Sequence, residues 1–162
     1  MRGAWIHYRG RQRGWAGALR AVNGARACPV RYWSRSNVDD QDIFALIGED
    51  GFRRLVAAFY RQVPGDDLLG KMYPADDLTG AEERLREFLI FRFGGPRRYI
   101  EQRGHPRLRM RHAPFAIGVA ARNRWIQLMG NALIEVALPA EVDATLREFF
   151  GSVATFMMNR PA

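Results

Sequence analysis

Three observations predict an all-α domain built around a ligand: apolar stripes at helical spacing, no alternating stretch, and one long irregular connection. Phe52, Leu55, Val56, Phe59, Tyr60 and Val63 recur at intervals of one, three and four residues, the repeat that gathers apolar side chains on one face of a helix. From residue 38 onward no segment alternates apolar and polar residues as a half-buried strand would. With 162 residues, 48% of them hydrophobic, the chain has the material for one domain with a core of its own.

The first stripe stops at Pro64-Gly65, a pair that ends helices. A second stripe, Leu78, Ala81, Leu85, Phe88 and Leu89, is opened by Thr79-Gly80-Ala81-Glu82, which has the spacing of a capping box, and closes at Gly94-Gly95-Pro96. A third helix is expected from about Phe115 to Val136, with Ile117, Ala121, Trp125, Leu128 and Ala132 on one face. The fourth, Ala140 to Met158, carries Val142, Leu146, Phe149, Val153 and Met157, and Pro139 gives it a clean start.

The connection from Gly94 to Pro114 holds three glycines, three prolines and six arginines and has little periodicity. So long an irregular segment inside a helical domain points to function. Four amphipathic helices around it suggest a pocket for something large, flat and apolar. Near its end stands His112, in Gly104-His-Pro-Arg-Leu-Arg-Met-Arg-His-Ala-Pro-Phe115. By itself this histidine reads as a metal ligand or as an ordinary surface histidine between arginines.

Charge and cysteine content narrow the setting. The net charge of +8 resides in residues 1–37, which contain eight arginines and no acid; the other 125 residues carry 17 basic and 17 acidic side chains. A neutral body argues against nucleic-acid binding by the domain. The basic stretch 1–37 is expected to be a disordered extension, or sequence upstream of a start near Val38, in preference to a targeting address; residues 38–162 form the domain. The single Cys28 cannot close a disulfide within the chain or build a cysteine-rich metal site, and a reducing, cytoplasmic setting is expected. No run of eighteen apolar residues suited to crossing a membrane is present.

From Ile43 to Asn159 the chain resembles the group II truncated haemoglobins, of the haemoglobin O kind found in actinobacteria. The resemblance is carried by Phe59-Tyr60, by Tyr73-Pro74 with Asp76-Asp77-Leu78, by Gly80-Ala81-Glu82-Glu83-Arg84-Leu85 and by Gly94-Gly95-Pro96-Arg97. Gln102 through Phe115, and Trp125, complete it. It implies a shortened globin, a two-over-two helical sandwich around haem b (iron protoporphyrin IX), with a proximal segment that is mostly loop. It implies further that His112 is the proximal ligand, the one protein group on the iron, with its other ring nitrogen tied to a carbonyl or carboxylate.

On the opposite side the resemblance implies three polar aromatic residues, Tyr60, Tyr73 and Trp125. Their O–H and N–H groups would stabilise oxygen over carbon monoxide, each by about 1 to 3 kcal/mol in a dry pocket, and so slow oxygen release. Read from the residues alone, the Tyr60 hydroxyl can equally satisfy a backbone group, and Trp125 can equally fill core. Ala81 stands where many globins place a histidine. For the haem propionates the candidates are Arg84, Tyr99, His105 and Arg109, with Arg107 and Arg111 expected to face water. Leu85, Phe88, Leu89, Leu108, Met110, Phe115, Ile126 and Met129 are the expected apolar walls.

The implied partners are diatomic gases (oxygen, nitric oxide, carbon monoxide) and an unidentified electron donor. Nitric oxide dioxygenation and a peroxidase-like activity are the enzymatic readings; an oxygen store, sensor or delivery protein is the non-catalytic one. Membrane contact and homo-oligomer formation are left open.

Overall fold

The computed structural model describes residues 38–73 and 75–160, so the expectations for residues 1–37 lie outside the described residues. Six α-helices follow one another, with short 3-10 turns between α1 and α2 and no strand among the described residues. They are α1 (Ile43–Gln62), α2 (Leu78–Arg92), α3 (Arg98–Arg103), α4 (Leu108–His112), α5 (Val119–Val136) and α6 (Ala140–Met157). Helix α1 packs on both α2 and α5, α5 packs on α6, and the short α3 and α4 lean on α2 and α6 respectively. The long helices thus form two pairs, α1 with α2 and α5 with α6, and the irregular connection is held against them.

The stripes fill the centre. Phe52, Leu55, Val56, Phe59 and Val63 of the first, Leu89 of the second, Leu128 and Ala132 of the third, and Val142 and Leu146 of the fourth are buried. Phe93, just past α2, stacks on Phe52 with ring centroids 5.9 Å apart and meets Phe149 edge-on at 4.9 Å. Each such ring removes a large apolar surface from water. Among the described residues no helix is long and apolar enough to cross a membrane.

The differences from the sequence reading lie at helix ends. Helix α1 begins at Ile43, ahead of the visible stripe, and is kinked at Gly48, whose φ of 61° and ψ of −173° interrupt the helical repeat. Helix α2 begins at Leu78, so Thr79-Gly80-Ala81-Glu82 lies within its first turn and forms no capping box. Asp77 stands at the cap without a capping hydrogen bond, its carboxylate being drawn to Arg84 at 2.6 Å. Helix α5 begins at Val119 rather than Phe115, because Gly118 is extended and the backbone of Ile117 pairs with Asn159 instead of entering a helix. The connection contains α3 and α4, of six and five residues, separated by Gly104 (φ 67°) and Arg107 (φ 43°), both in the left-handed half of backbone space.

Candidate functional site

A cavity of about 580 Å³ opens between the two helix pairs and the irregular connection. Leu85 and Phe88 of α2, Leu108 of α4, Phe115 and Ile117 of the following loop, and Phe150, Val153, Ala154 and Met157 of α6 make most of its wall apolar. A mostly apolar concavity of this volume with a few convergent polar groups is the form of a small-molecule or cofactor site.

His112 lines this cavity at the last position of α4. Its Nδ1 lies 2.8 Å from the carbonyl oxygen of Leu108, one turn back. A carbonyl only accepts, so Nδ1 carries the proton, and in the neutral ring Nε2 holds the lone pair. That is the state in which an imidazole ligates a metal.

Three polar aromatic side chains also line the cavity: Tyr60 from α1, Tyr73 from the loop after it, and Trp125 from α5. The rings of Tyr60 and Tyr73 meet edge to face at 5.7 Å, and Phe59 holds Tyr60 at 5.2 Å and Trp125 at 5.4 Å. Burial pushes the Tyr60 phenol far above its ordinary value, and the neighbouring Tyr73 adds to the shift. The Tyr73 phenol is raised as well, again by burial, while donor groups of Trp125 and Tyr60 partly offset it. Both hydroxyls therefore keep their protons, and both remain donors.

Three arginines, Arg84, Arg111 and Arg122, also line the cavity. Arg84 pairs with Asp77, itself on the cavity wall, and Arg122 is held by Thr155 Oγ1 at 2.8 Å. Tyr99 is buried in the wall, with its ring 5.6 Å from Phe88. Of the residues expected at the site, Tyr60, Tyr73, Trp125, Arg84, Leu85, Phe88, Tyr99, Leu108, His112 and Phe115 come together here.

His105, Arg109 and Met110 do not line the cavity. His105 is exposed and its Nδ1 accepts from the Arg107 amide at 3.2 Å, which braces a turn. Arg109 turns outward to lie over Phe156, 5.2 Å from the ring centroid, and Met110 is 60% exposed. The reason is the brevity of α4: at 3.6 residues per turn Leu108 and His112 share a face, and Arg109 and Met110 project from others. Leu89 and Met129 are buried in the core, and Ile126 likewise is not on the cavity wall.

Arg111 is exposed, as expected, and also borders the cavity. Its guanidinium reaches back to the carbonyls of Pro106 at 2.9 Å and Arg103 at 3.1 Å. The sequence reading also missed Leu69, Met72, Asp77, Arg122, Phe150 and Ala154. For α6 the signal was present, since Val153 and Met157 belong to its stripe, but a stripe does not separate core from cavity wall.

A family model for bacterial-like globins matches residues 42–159, nearly the whole of the described region. The chain belongs to the group II truncated haemoglobins. It is 37% identical over 121 residues to the group 2 truncated hemoglobin YjbI of Bacillus subtilis, covering 72% of this chain and 88% of that protein. A thermostable hemoglobin from the actinobacterium Thermobifida fusca superposes with a TM-score of 0.71 at 47% identity, over 74% of this globin and 98% of the other. A truncated haemoglobin from Bacillus subtilis, described as oxygen-avid, gives 0.69 at 35% identity over 72% and 98%.

Globins hold haem, and the donor set of this one fits it. The apolar walls suit the macrocycle, the Nε2 of a neutral His112 suits the iron, and the arginines among the lining residues suit two carboxylates.

Proposed function

We propose that this globin binds haem b through His112, takes up oxygen beneath Tyr60, Tyr73 and Trp125 with slow release, and uses it to convert nitric oxide to nitrate. The observation that supports this reading is the pairing of an imidazole with a free Nε2 and a group of protonated donors in one apolar cavity. Haem, when bound, supplies the iron that takes a diatomic gas and lends it electron density. The remaining work belongs to the side chains. Tyr60 and Tyr73 present O–H groups and Trp125 an N–H group to a gas that has acquired negative charge; dioxygen does so far more than carbon monoxide. Their apolar surroundings exclude water, which strengthens each such hydrogen bond.

The reaction combines one NO, one O2 and one electron into one nitrate ion, so each turnover consumes an electron that an external donor has to replace. Residues 1–37 are proposed to stand outside the globin domain as a basic extension, a boundary supported by the start of the family match at residue 42. Rapid mixing of the oxygenated protein with NO tests the reaction: prompt oxidation with stoichiometric nitrate is expected, and oxidation without nitrate excludes it. The oxygen-avid character of the Bacillus subtilis relative favours a second reading, a non-catalytic oxygen store. Slow release with no reaction toward NO is its outcome.

A further inference from the structure

The segment that carries His112 is fastened to the end of α6 chiefly at Asn159. Asn159, two residues past α6, directs its Nδ2 to the carbonyl oxygen of Phe115 at 2.8 Å and to that of His112 itself at 3.3 Å. Its Oδ1 accepts from the Ile117 amide at 3.0 Å. The backbone joins in: the amides of Asn159 and Arg160 donate to the Ile117 carbonyl at 3.0 and 3.2 Å. All the hydrogen-bonding atoms of the Asn159 amide group are thus spent on residues 112–117.

We propose that Asn159 is a positioning residue for His112, fixing the loop that aims the imidazole into the cavity; this rests on the reading of His112 as the haem ligand. The need for such a clamp follows from the local structure. Helix α4 has only five residues and opens on Arg107 in a left-handed conformation, too short to be rigid alone. The residues after it, Ala113 to Ala116, are exposed and belong to no regular helix. The bond from Nδ1 to Leu108 sets the turn of the ring within α4, but nothing within α4 sets where α4 itself stands. Asn159 does so from α6, which forms the adjoining cavity wall through Val153 and Met157. Arg109 over Phe156 is a second, weaker tie between the same two elements.

The chemistry requires asparagine. Aspartate has the same shape and keeps the acceptor for Ile117, but it sets a carboxylate against two carbonyl oxygens. Alanine removes all three side-chain bonds. The test uses the full chain loaded with haem, comparing the unaltered protein with Asn159→Asp and Asn159→Ala. The iron–histidine stretching band is read by resonance Raman, and haem loss is timed by transfer to an apoprotein scavenger. A shifted or broadened band and haem loss about tenfold faster are expected in both variants, the range for groups that orient a metal ligand. Thr145→Val, which removes a hydroxyl bonded to the Glu141 carbonyl within α6 and touches neither residues 112–117 nor the cavity wall, should keep the unaltered band.

An unchanged band and unchanged haem loss in Asn159→Asp would overturn the proposal, and this variant, isosteric and exposed, remains informative if Asn159→Ala does not fold. An equal shift in Thr145→Val would also overturn it, by showing a general loosening of α6. Failure of the unaltered chain to show an iron–histidine band is a different result: it removes the ligand reading itself, and the positioning role with it.

Discussion

The imidazole of His112 donates its Nδ1 proton to the carbonyl oxygen of Leu108 across 2.8 Å, one turn back on the same five-residue helix. That bond decides the tautomer and leaves Nε2 as the ring's only lone pair. The same cavity is lined by Tyr60, Tyr73 and Trp125.

Removing one donor should show in oxygen kinetics. Tyr60→Phe deletes a hydroxyl and keeps the ring packing against Phe59 and Tyr73. Oxygen release is expected to accelerate by about one to two orders of magnitude, as the loss of a hydrogen bond of about 1 to 3 kcal/mol implies. Carbon monoxide release should change much less. Stopped-flow ligand replacement measures both, and an equal change in the two gases would show that the mutation altered access instead.

Alkaline titration should report on Tyr60 and Tyr73. In the folded state the Tyr60 and Tyr73 phenols ionise well above the value of about 10 that they have in an unfolded chain. The folded state therefore holds more protons than the unfolded state above that pH, so stability is present in full below about pH 10 and declines as the pH rises past it. Tyrosinate absorbance should rise for these two only as the helices unfold. The double variant Tyr60→Phe, Tyr73→Phe should unfold at higher pH than the unaltered chain if it retains its packing.

Two glycines should respond oppositely to alanine. Gly94 has a φ of 91°, and a Cβ there would lie 1.9 Å from the Gln41 carbonyl oxygen. Both the strain and the backbone clash resist relief, so Gly94→Ala is expected to cost about 3 kcal/mol or more. Gly151 sits within α6 with nothing near its added Cβ. Gly151→Ala should stabilise by about 0.5 to 1 kcal/mol, through helix propensity. Urea unfolding of the two variants checks the contrast.

The parts of this molecule that show in its sequence are those governed by period and burial. Phe52, Phe59, Leu89 and Leu146 repeat at helical spacing because one helix face must leave water, and all four are buried. The irregular connection is visible because breakers crowd it. What the sequence hides depends on contacts made only after folding. Arg111 reads as a surface residue and is one, but its hold on the carbonyls of Pro106 and Arg103 beside the cavity exists only once α4 has formed. Val153 and Met157 read as core because an apolar stripe has no mark separating packed interior from cavity wall. Asn159 has no local signal at all, since its partners lie more than forty residues away.

Haem reconstitution of the full chain followed by resonance Raman of the ferrous form shows whether His112 is the protein group on the haem iron. The unaltered protein should show an iron–histidine stretch; His112→Ala should lack it and recover a corresponding band on addition of free imidazole. An identical iron–histidine stretch in His112→Ala without imidazole, or no Soret band in the unaltered protein, would contradict that assignment.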